Sequence, residues 1–119
     1  MEWIRLFEVA SKDLDADAPL LRGILDDLGQ IARCPEGGGY RLDPEAQLAM
    51  GWWFFAVYVR EEFVRGAVGH LHAKDPRARD ERALLDYIRG RLGAQKSTAT
   101  VKLHGKQSIF GRYWTWLMR

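Results

Sequence analysis

Cysteine is almost missing from this chain of 119 residues: Cys34 stands alone, so no intramolecular disulfide can form, and a reducing cytoplasm is the expected compartment. Histidine is scarce too, with three in all, which leaves a Cys/His metal site short of ligands. Long apolar runs are absent. The longest, Leu48 to Val59, is closed by Arg60, Glu61 and Glu62, well short of the roughly 20 residues that cross a bilayer. It is therefore expected to be core, with no membrane contact. The opening Met1-Glu2-Trp3-Ile4-Arg5 lacks the basic-then-apolar order of a secretory leader, so secretion is not expected. No repeat of solenoid period and no low-complexity tract is found. Acidic side chains are missing from one end: none follows Asp86.

What is present suits one globular domain, 1–119, because 47% hydrophobic and 12% aromatic residues supply one core while 29% charged residues keep a wet surface. The net charge of +2 conceals an asymmetry. Residues 1–59 hold five Lys/Arg against ten Asp/Glu, a balance of −5, and residues 60–119 hold thirteen against six, a balance of +7. Arg89, Arg91, Lys96, Lys102, Lys106, Arg112 and Arg119 are the charges of the last 33 residues. Basic residues there alternate with Phe110, Tyr113, Trp114 and Trp116, and that mixture suits a nucleic acid whose phosphates are neutralised and whose unpaired bases stack. The rival reading is internal: the acidic half neutralises the basic half within a monomer or across a homo-oligomer.

Apolar spacing predicts a mainly α fold, a compact four- or five-helix domain with a short C-terminal β-hairpin left open as an option. Trp3, Leu6, Phe7 and Ala10 fit one helical face over about residues 2–11. Leu21, Ile24, Leu25, Leu28 and Ile31 form a second stripe, with Asp17 as its N-cap candidate and Pro19 in the first turn. Asp43-Pro44 resembles a helix start, and Leu48, Trp52, Phe55, Val59, Phe63 and Ala67 extend a helix from 44 to 73. A buried strand over Trp52 to Val59 is the alternative there, since the segment is aromatic and β-branched. On a helix, Trp52-Trp53-Phe54-Phe55 would cover every side, which requires a surrounded helix or an outward ring for a partner. Asp75-Pro76 repeats the start signal, and Leu84, Leu85, Ile88 and Leu92 mark the next buried edge, with Gly93 as its stop. Residues 95–100 form the best linker; Thr98 to Leu103 alternates like a strand, and Gly105-Lys106 offers a turn.

Chemistry-bearing patterns are weak. His70-Leu71-His72 places two rings about 200° apart on a helix, unsuited to one ion. Gly37-Gly38-Gly39 and Gly105-Lys106 lack the remaining residues of a phosphate loop. Asp26-Asp27 and Glu61-Glu62 diverge by about 100° on helices and form no shared proton dyad. Cys34 has no neighbouring histidine to activate it. No catalytic residue, metal or cofactor is assigned, and an enzyme is not expected. The leading expectation is a non-catalytic accessory subunit of a nucleoprotein assembly, contacting single-stranded RNA or DNA through the basic aromatic segment 94–119. Its candidate contacts are Arg89, Arg91, Lys96, Lys102, Lys106, Arg112, Tyr113 and Trp114. The alternative is a protein-binding inhibitor, immunity or antitoxin-like module whose tail docks on an acidic partner.

Overall fold

Strands and helices are mixed in the computed structural model, which describes residues 3–34 and 39–104. The order is β1 (Ile4–Ser11), α1 (Leu14–Ile31), β2 (Tyr40–Leu42), β3 (Gln47–Ala49), β4 (Trp52–Val59), α2 (Glu61–Lys74), α3 (Glu81–Ala94) and β5 (Thr100–Leu103). All strand pairs are antiparallel, in the order β2-β4-β1-β5, with β3 also paired to β4. The mainly α four- or five-helix domain, and the helical bundle with it, are thereby corrected to an α/β fold of three helices and a five-stranded sheet.

The errors have physical causes. Phe7 and Val9 point to the helices by ordinary alternation, and a register shift between Arg5 and Phe7 accompanies burial of Leu6 as well. That buried Leu6-Phe7 doublet imitates the paired apolar positions of a helix. In β4, Phe55, Val57 and Val59 face the helices while Trp52, Phe54, Ala56 and Tyr58 face away. Both sides are apolar, so the period of two is hidden and the strand reading of 52–59 is the correct one. Asp43 starts no helix: its carboxylate accepts from the Glu45 amide at 2.9 Å in the turn between β2 and β3. Asp75 likewise ends α2, and Asp80 caps α3 by accepting from the Arg82 amide at 2.9 Å.

Other expectations hold. Leu21, Ile24, Leu25 and Leu28 are the buried stripe of α1, capped by Asp13 rather than Asp17. Leu84, Leu85, Ile88 and Leu92 are the buried edge of α3. The alternation after Thr98 becomes β5, with Val101 and Leu103 inward. These side chains join Phe7, Val9, Val57, Val59 and Phe63 in one core between the sheet and the helices. The helices also touch one another. At the α1–α2 contact, a Cβ on Gly66 would lie 2.7 Å from the Ala32 carbonyl oxygen, so only glycine permits that approach.

The 95–100 connection is tied down rather than loose. Asp17, 3% exposed, accepts from Ser11 Oγ at 2.5 Å, Ser97 Oγ at 2.7 Å and Thr98 Oγ1 at 2.5 Å. Burial alone would raise its pKa, but these hydroxyls and the Thr98 backbone outweigh it and hold the carboxyl below its ordinary value. One carboxylate thus pins β1, α1 and the lead into β5 together.

Candidate functional site

The sheet has two unlike faces. Among the described residues, no helix packs on the second one. Its strands place Arg5, Glu8 and Ala10 from β1, Arg41 from β2, Trp52, Phe54, Ala56 and Tyr58 from β4, and Thr100 and Lys102 from β5 on it, as the paired registers require. Glu8 is the single acid in that set.

Cations and rings are interleaved here. The Arg41 guanidinium lies 5.1 Å from the Trp3 ring and 5.1 Å from the Tyr58 ring. Arg60, just beyond β4, lies 4.7 Å from Trp3, and Lys12, just beyond β1, lies 4.8 Å from Trp52. Each distance is within cation–π range. The rings fix long, otherwise mobile side chains in place, so positive charge is held ready along both ends of the face. Phe54 remains 43% exposed between them.

A pocket of about 420 Å³ opens beside Phe54, with Glu8, Ala10, Thr100 and Lys102 on the sheet and Arg89 reaching it from α3. Arg89 Nε donates to the Val101 carbonyl at 2.8 Å, which anchors its guanidinium at the margin of β5. Glu8 Oε1 meets Arg5 Nη2 at 2.7 Å and His104 Nδ1 at 2.7 Å. The single acid that the described strands place on this face is therefore oriented from two sides.

The sequence-derived contacts scatter. Arg89 and Lys102 share the pocket. Arg91 turns to the helix layer, where Nη1 donates to Tyr87 Oη at 2.8 Å and Nη2 to Asp27 Oδ2 at 3.1 Å. Lys96 occupies a left-handed position, φ 56°, where Ser97 N donates back to the Leu92 carbonyl at 3.0 Å and closes α3. Lys106, Arg112, Tyr113 and Trp114 lie outside the described residues, as does the turn at Gly105-Lys106. The ring and cation set on the second face escaped the spacing argument. The signal for it was the alternation Trp52, Phe54, Tyr58 under the strand reading.

Elsewhere, polar groups are engaged in local structure. His72 Nδ1 lies 3.0 Å from the Ala78 carbonyl oxygen. Tyr40 donates to Asp26 Oδ1 at 2.5 Å, and burial, then this bond, push its pKa up to about 12. Cys34 is half-buried beside the core; burial, then the Glu62 charge, push its thiol upward against the weaker pull of Arg60. Among the described residues, no group of three or more His, Cys, Asp or Glu could hold a metal ion, and no helix is long and apolar enough to cross a membrane. No protein-family model, curated protein or solved structure matches the chain.

Proposed function

We propose that this protein is a non-catalytic binding module that holds single-stranded nucleic acid on the second face of its sheet, as an accessory subunit of a nucleoprotein assembly. The observation that carries the reading is the composition of that face: Arg5, Lys12, Arg41, Arg60 and Lys102 among Trp3, Trp52, Phe54 and Tyr58, with Glu8 the single acid its strands place there. A phosphodiester chain satisfies the cations by releasing counterions, and unpaired bases stack on rings and guanidinium planes. A duplex satisfies only the first half. This widens the expected contact from the C-terminal region to a surface to which the segment 94–119 contributes Lys102 and α3, at the margin, Arg89.

Fluorescence anisotropy with a labelled single-stranded oligonucleotide tests it. With about five phosphate contacts, affinity should fall roughly a hundredfold between about 50 and 200 mM salt. Arg41→Glu with Lys102→Glu should weaken binding and flatten the salt slope, while a duplex of the same sequence binds less tightly. Absence of single-strand binding at low salt overturns the reading.

The protein-binding alternative, including an inhibitor, immunity or antitoxin-like role or a homo-oligomer, draws on a different observation. The β3–β4 hairpin tip exposes Leu48 at 59% and Met50 at 95%, an apolar tip of the sort that seats in a partner's pocket. A stoichiometric partner that survives nuclease treatment and is lost in Met50→Asp would favour it.

A further inference from the structure

Resting on the single-strand reading, we infer that the pocket beside Phe54 receives one base and selects for an exocyclic amino group, taking cytosine over uracil. The pocket volume of about 420 Å³ is in the range of small-ligand sites and accommodates a nucleotide. Its lining includes a ring for stacking: Phe54 is 43% exposed, and a base laid on it shares the pocket with Glu8, Thr100, Lys102 and Arg89. Lys102 and Arg89 carry the charge for the adjoining phosphates.

Glu8 supplies the discrimination. A carboxylate only accepts hydrogen bonds. Among the described residues, its two close contacts, to Arg5 and to His104 at 2.7 Å each, fall on Oε1, which leaves Oε2 as the acceptor for a ligand. Arg5 and His104 hold the group in position, so little ordering remains for the ligand to impose. Cytosine offers its 4-amino group to such an acceptor. Uracil offers a carbonyl oxygen at the same position, which repels the carboxylate, and its N–H is recessed between two carbonyls. The two bases are otherwise nearly the same size, so stacking on Phe54 does not tell them apart.

The test compares labelled oligocytidylate and oligouridylate of about ten nucleotides on the full chain near neutral pH. Oligocytidylate should bind about tenfold more tightly, the ratio that one charged hydrogen bond provides. In Glu8→Gln the amide both accepts and donates, so the ratio should fall to near unity. Phe54→Ala should weaken both oligomers together and leave the ratio in place. If neither oligomer binds, the single-strand reading itself fails. If both bind equally to the unaltered protein, or if Glu8→Gln keeps the preference, the pocket assignment fails and the single-strand reading stands.

Discussion

The two faces of the sheet are made from the same strands, residue by residue in alternation, and have opposite character. Toward the helices, Phe7, Val9, Val57, Val59 and Val101 are at most 2% exposed and belong to the apolar core. Away from them, equally bulky Trp52, Phe54 and Tyr58 stand among Arg41, Lys12 and Lys102. Ring content therefore says little about the role of a position. What separates the faces is the company of charge: a core excludes unpaired cations because desolvation is costly, whereas rings that order cations hold a surface ready for an anion.

Substitutions on the two faces should separate stability from binding. Phe7→Ala removes a ring that is 1% exposed at the centre of the core and should cost about 3–5 kcal/mol in denaturant unfolding; Phe54→Ala should cost well under half as much and act on oligonucleotide affinity instead. Equal losses at the two positions would erase the distinction. Next comes Asp17→Asn, which breaks the charged hydroxyl cage on the helix side and should cost about 2–3 kcal/mol. Because the folded-state pKa of Asp17 is depressed, its contribution is fully present above the unfolded carboxylate value of about 3.9 and is lost as pH falls through the folded value. The gap between parent and variant in unfolding free energy should therefore close in acid.

Gly66→Ala forces α1 and α2 apart and should cost about 1–3 kcal/mol, with oligonucleotide affinity of the folded protein unchanged. The smallest effect is expected at the hairpin tip. Met50 and Gly51 have φ of 52° and 82°, a two-residue turn that favours Asn-Gly. Met50→Asn should raise the thermal midpoint slightly, by the equivalent of about 0.5–1 kcal/mol, without touching either face.

Much of the helical layer was legible in the sequence because each of its helices is apolar on one side only. Leu21 to Leu28 and Leu84 to Leu92 show their stripes openly, and Val101 and Leu103 alternate against Thr100 and Lys102. The sheet's centre was hidden because β4 carries rings on both faces, so its alternation is masked, and because the bulge in β1 buries two neighbours. Counting charge by halves also drew attention to the chain's end, where Lys106, Arg112, Tyr113 and Trp114 lie outside the described residues. Arg5, Lys12 and Arg41 come from the acidic half, whose carboxylates Asp13, Asp15, Asp17, Asp26 and Asp27 gather in and before α1. Folding sorts charge by face, and a count along the chain cannot see that.

The position of β1 has a consequence for how the molecule is made. The earliest of the described strands in chain order, it lies between β4 and β5, whose residues begin at 52 and 100. In a nascent chain neither edge of β1 has its partner until β4 emerges, and one edge stays unpaired until Leu103 has left the ribosome. That interval is when such an edge recruits strands from other chains. Slowing elongation between β4 and β5 should accordingly lower the yield of correctly assembled protein, even though no residue of the finished fold has changed.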